Sequence, residues 1–188
     1  MDERILPSPI QQIIFVSRET SNCPLIAEMI RLGHRLKELG VPENDVGIMS
    51  LDYGKRLLIN GKNMDIKKLS HPDVVEIVDY DPLKNIMMVI GTKDPCLETP
   101  VHWIIQKARH DINALLQINS TTLFEKLKET LPTTEKETQP ATLDHAKEIL
   151  KTLRTGKTIL IKNEGILFAG INIKEIQEAL LNYLGVQK

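Results

Sequence analysis

Apolar residues recur at helical spacing in several stretches of the chain and bunch into short runs between them. Leu25, Ile26, Met29, Ile30, Leu32, Gly33, Leu36 and Leu39 keep the three-to-four-residue rhythm of one buried helix face. Gly40 supplies the stop, and Ser21 or Asn22 is the expected cap. Ahead of this helix, Ile13-Ile14-Phe15-Val16 reads as a strand, and residues 1–11, with Pro7 and Pro9, as an extended segment. After Gly40, short apolar runs predict strands over 47–51, 56–59, 74–79 and 86–90. Tyr53-Gly54, Asn60-Gly61 and Tyr80-Asp81-Pro82 are the turns between them.

Val101, Ile104, Ile105 and Ala108 predict a second helix, with Thr99 as its cap and Pro100 in its first turn. The strand-like run Ala114-Leu115-Leu116 stops at polar Gln117 and Asn119. A helix is expected over 121–131, a mobile polar loop over 132–140 and a further helix over 144–153. Strands follow over 158–162 and 167–170, and the last helix over 173–184. Helix, block of hairpin-linked strands, then helices among strands is an α+β order: an αβα sandwich around a mainly antiparallel sheet. The 188 residues show no linker or repeat, so 1–188 reads as a single domain.

Formal net charge is −1 without long blocks of one sign, which argues against non-specific nucleic-acid or anionic-membrane binding. The apolar runs are too short to cross a bilayer, and Asp2, Glu3 and Arg4 do not open a secretory signal. Cys23 and Cys96 form neither a metal pattern nor a disulfide framework, so the expected setting is cytoplasmic with reduced thiols. Gly156-Lys157-Thr158 is not a phosphate loop: Lys151 stands where the first glycine is needed, and the segment follows a helix and opens a strand. His34 reads as a partly buried or surface helical residue, His110 and His145 as surface loop or helix-start residues, and His102 as a packed or hydrogen-bonded one.

Residues 98–120 place Glu98, His102, Arg109-His110-Asp111-Ile112-Asn113-Ala114 and Gln117-Ile118-Asn119 in a fixed order, and Asn163-Glu164-Gly165 follows later. This frame resembles the class II aldolase/adducin family. The resemblance implies a zinc ion held by two histidines at the positions of Gln117 and Asn119 and a third at Glu164. It also implies an acid/base glutamate at Glu98. None of the three ligand positions carries histidine, so the expectation is no zinc and no other cofactor. The resemblance further implies an anion-binding side, reduced here to Gly47, Asn60 and Gly61, since Ile48 and Leu97 bring no donor.

Glu98 has a plain alternative: a carboxylate at a helix start is favoured by the dipole without chemistry. The family also implies a homo-oligomer, most often a tetramer, for which Trp103 is a candidate contact; packing inside its own subunit is the equal alternative. Three functions stay open. One is an oligomeric binding or assembly module that is not an aldolase. Another is a lyase or epimerase acting on a small sugar or sugar phosphate through Glu98. The third is a small-molecule sensor.

Overall fold

The computed structural model describes residues 10, 12–41 and 46–185. The expected extended segment 1–11 therefore lies, apart from Ile10, outside the described residues. The strands are β1 (Gln12–Ser17), β2 (Val46–Tyr53), β3 (Arg56–Asn60), β4 (Val74–Asp81), β5 (Ile86–Ile90), β6 (Ala114–Asn119), β7 (Thr158–Ile161) and β8 (Gly165–Gly170). The helices are α1 (Ile26–Glu38), α2 (Thr99–Ala108), α3 (Thr121–Leu127), α4 (Leu143–Thr152) and α5 (Ile173–Leu184). The strands form one sheet in the order β1-β5-β4-β3-β2-β6-β8-β7. Every pairing is antiparallel except that of β1 with β5.

Helices cover both faces, which gives the expected αβα sandwich. Successive strand residues point to opposite faces, so each strand feeds two cores. On one face Met49, Leu51, Leu58, Leu116, Ile118 and Phe168 pack under Met29 and Leu36 of α1 and Ile176 and Leu180 of α5. On the other, Leu115, Leu167 and Ile159 pack under Val101 and Ile105 of α2 and Ile149 of α4. That second layer continues towards β3–β5 through Leu57, Ile59, Val75, Ile77 and Val89. Gly33 sets how closely α1 seats: a Cβ there would lie 1.9 Å from the carbonyl oxygen of Ile66, in the 3₁₀ turn Ile66–Lys68.

Several local expectations change. Leu25 flanks the start of α1 and no side chain caps it; Ser21 instead accepts from the Cys23 N–H at 3.1 Å and donates to Glu76. β6 runs on through Gln117 to Asn119, because β2 and β8 pair with it along its whole length. α3 ends at Leu127, four residues before Leu131, although Leu131 still joins the core. Trp103 is only 8% exposed and packs inside its own subunit, edge-on to Tyr80 with ring centroids 6.5 Å apart. It does not form the exposed contact considered from the sequence.

The polar loop 132–140 is fastened rather than free. Leu160 N–H donates to Pro132 O at 2.8 Å and Thr134 N–H to Leu160 O at 3.0 Å, adding a rung beside β7. Glu135 and Lys136 N–H both donate to the Glu148 carboxylate, at 2.8 and 3.0 Å. Thr134 is buried and accepts from Lys162 N–H at 2.9 Å. The sequence showed polar residues without periodicity; their partners lie on β7 and α4 and become visible only in the fold.

Candidate ligand site

The site forms on the second face, where the ends of β6 and β8 meet the start of α2. Gln117 sits in the middle strand, paired with Ile48 of β2 and Leu167 of β8. Asn119 is opposite Gly165. A Cβ at Gly165 would fall 2.0 Å from the Ile118 carbonyl oxygen, so only glycine lets β8 approach here. The preceding Asn163 takes φ +61° to make the turn that presents Glu164. Gln117 Nε2 donates to Asn119 Oδ1 at 2.8 Å, so the two amides bind one another.

Glu98 is the first flanking residue of α2, yet its side chain makes no capping hydrogen bond. It is 6% exposed and turned into the site, where the Ala141 N–H faces it. The dipole alternative therefore does not describe what this carboxyl does. His102, one turn along α2, is fully buried with Nδ1 2.7 Å from Ser50 Oγ. Gln106 Nε2 donates to that same oxygen at 3.3 Å. The Ser50 hydroxyl thus ties His102 Nδ1 to the Gln106 amide.

His145 corrects the surface reading. It is 1% exposed, in the inward stripe of α4 with Ala146, Ile149 and Thr152. Its Nδ1 is 2.9 Å from Thr138 Oγ1, in the fastened loop. Its Nε2 lies 4.0 Å from Glu98 Oε2 and 3.7 Å from Glu164 Oε2. The signal was present in the sequence: His145 stands four residues before Ile149 and so shares its helix face. What that face would meet could not be read. His34 and His110, by contrast, are exposed as expected.

Burial governs the electrostatics. It raises the Glu98 carboxyl from 4.5 to about 7, helped by the charge of Glu164 and opposed by the Ala141 N–H. Glu164 rises likewise to about 7, through burial and then Glu137. Burial lowers His102 to about 4 and also lowers His145. Cys96 is pushed up to about 12 and is no thiolate at neutral pH. Near pH 7 the site thus holds two neutral imidazoles beside two carboxyls close to their midpoint. Among the described residues, buried Glu98 Oε2, His102 Nε2, Gln106 Oε1, Gln117 Oε1 and His145 Nε2 meet no hydrogen-bond partner. Such atoms are costly unless a ligand or water answers them.

A cavity of about 430 Å³ reaches Glu98 from outside, with Gly47, Asn60, Lys62, Leu97 and Asn119 in its wall. The anion-binding residues expected there are largely occupied. Asn60 Oδ1 accepts from Met49 N–H at 2.8 Å and its Nδ2 donates to Gly61 O at 3.4 Å. Gly61 is not a lining residue, and its N–H donates to Asp73 O at 2.7 Å. Gly47 lines the cavity but is backed by Ile66, whose Cδ1 would lie 2.0 Å from any added Cβ. Lys62, which sequence reading did not single out, is an exposed cation at the wall. Among the described residues, no group of three or more His, Cys, Asp or Glu side chains is arranged to hold a metal ion.

No family model and no curated protein matches the sequence. Solved structures do match. An L-fuculose 1-phosphate aldolase superposes with TM-score 0.67 at 22% identity, over 87% of this chain and 86% of that one. The L-fuculose-1-phosphate aldolase of Thermus thermophilus gives 0.62 at 20%, over 86% of each chain. The N-terminal class II aldolase domain of a conserved Thermoplasma acidophilum protein gives 0.64 at 16%, over 88% of this chain and 93% of that one. Each likeness spans nearly the whole of both chains, and together they show that this chain has the class II aldolase fold.

Proposed function

We propose that this chain is a divergent class II aldolase-like protein that binds a small, sugar-like molecule in its pocket without zinc and works as a homo-oligomeric binding module. The observation that carries the reading is the state of the expected ligand positions. Gln117 and Asn119 spend an amide N–H and an oxygen on each other at 2.8 Å, while the cavity beside them stays open to Glu98. Amide oxygens are weak ligands for zinc, and a buried carboxyl near its midpoint at pH 7 is a poor anionic anchor. The donor set at 117, 119 and 164 does not fit zinc.

A second reading has its own support. A buried Glu98 raised to about 7 is poised to exchange a proton, as a lyase or epimerase acid/base requires. The experiment that separates these readings begins with elemental analysis of the purified protein, where well under one equivalent of zinc is expected. Backbone NMR titration with neutral triols and pentoses should then shift Gly47, Glu98 and Asn119. Stoichiometric zinc bound at Gln117, Asn119 and Glu164 would overturn the first reading. Turnover of a ketose phosphate that Glu98→Gln abolishes would put the second in its place.

A further inference from the structure

We infer that the Glu98–His145–Glu164 cluster is the seat of a primary ammonium group, so that the ligand is an aminated, hydroxylated small molecule such as an amino alcohol or amino sugar. This rests on the pocket reading above and names its chemistry.

Three observations carry it. Glu98 Oε2 and His145 Nε2 are unpartnered atoms on side chains more than nine-tenths buried, and both are aimed into the cluster. The gaps of 4.0 and 3.7 Å from His145 Nε2 to the two carboxylates are too long for direct hydrogen bonds. A donor group seated beside His145 Nε2 would answer that atom and a carboxylate oxygen together. The cluster is also rich in acceptors. Thr138 Oγ1 can take the Nδ1 proton of His145, which leaves Nε2 as a lone pair beside two carboxylate oxygens. Among the described residues no Lys or Arg forms an ion pair with Glu98 or Glu164.

An ammonium offers three donors and no acceptor, which matches this set; a hydroxyl offers one donor and brings an acceptor the site does not need. The cavity of about 430 Å³ has Asn60, Asn119 and, of the cluster, Glu98 in its wall, so a small polar molecule held there meets the cluster at its Glu98 end.

The test compares 2-amino-1,3-propanediol with glycerol, which differ by one amine-for-hydroxyl exchange, by calorimetry and NMR at about pH 8, where the carboxyls ionise. The amine should bind at least about ten-fold tighter, as charge-assisted bonds require. Glu98→Gln and Glu164→Gln should each erase most of that preference. Equal binding of the two compounds overturns the ammonium inference and leaves the pocket reading standing. Failure of both compounds, and of the sugars above, to shift the cavity residues overturns the pocket reading itself. A divalent ion bound stoichiometrically by Glu98, His145 and Glu164 also overturns the inference. The wild-type comparison decides the matter even if a variant fails to fold.

Discussion

Replacing Glu98 by Gln should make the protein more stable at alkaline pH and leave it nearly unchanged in acid. Glu98 is 6% exposed, with Oε2 unpartnered, and burial holds its carboxyl at about 7 against 4.5 in a solvated chain. Between those two values the native state binds the proton more tightly than the unfolded state, so stability falls as pH rises through the interval. At about 1.36 kcal/mol per pH unit the full loss is about 3 kcal/mol, complete above about pH 8. Glutamine keeps the shape and has no charge to bury. Read as a surface carboxylate, the same change would stay within roughly ±0.5 kcal/mol at any pH. Urea denaturation of both proteins at about pH 5 and about pH 8 measures the difference. Parallel stability curves for wild type and variant would show that Glu98 is solvated or paired in solution, and would refute the reasoning.

Gly33→Ala should destabilise by about 1–3 kcal/mol in thermal melts, because the added Cβ meets the Ile66 carbonyl oxygen at 1.9 Å and backbone must move. Ala141→Gly should stabilise by up to about 1 kcal/mol, since Ala141 holds φ +62°, a conformation glycine adopts without the Cβ penalty; a loss of stability would show that the Ala141 methyl packs more favourably than its backbone is strained. Light scattering across a dilution series should give a multiple of the 21.3 kDa chain mass, most simply four-fold; a monomeric mass throughout would remove the assembly part of the proposed function.

The sequence by itself determined the order and type of nearly every element, because hydrophobic period is a local property. The last helix, 173–184, matches α5 residue for residue, while the hairpin turn expected at Tyr53-Gly54 falls one residue on, at Gly54-Lys55, with Gly54 at φ +64°. The resemblance of residues 98–120 and 163–165 to a known frame led to the expectation that Gln117, Asn119 and Glu164 gather; the structure joins Gln117 to Asn119 and sets Asn119 opposite Gly165. The length of β6 escaped it, because polar Gln117 ends an apolar run while the pairing of β2 and β8 carries the strand on. What the polar residues do was decided only by the tertiary structure. His145 and Thr138 lie far from Glu98 in the chain, and loop 132–140 carries no periodic signal. Packing of α4 against α2, with the loop tied to β7 and Glu148, brings them to the carboxyls. Burial then shifts the protonation of Glu98 and Glu164, and burial depends on which distant segments close over a residue, something no local pattern encodes.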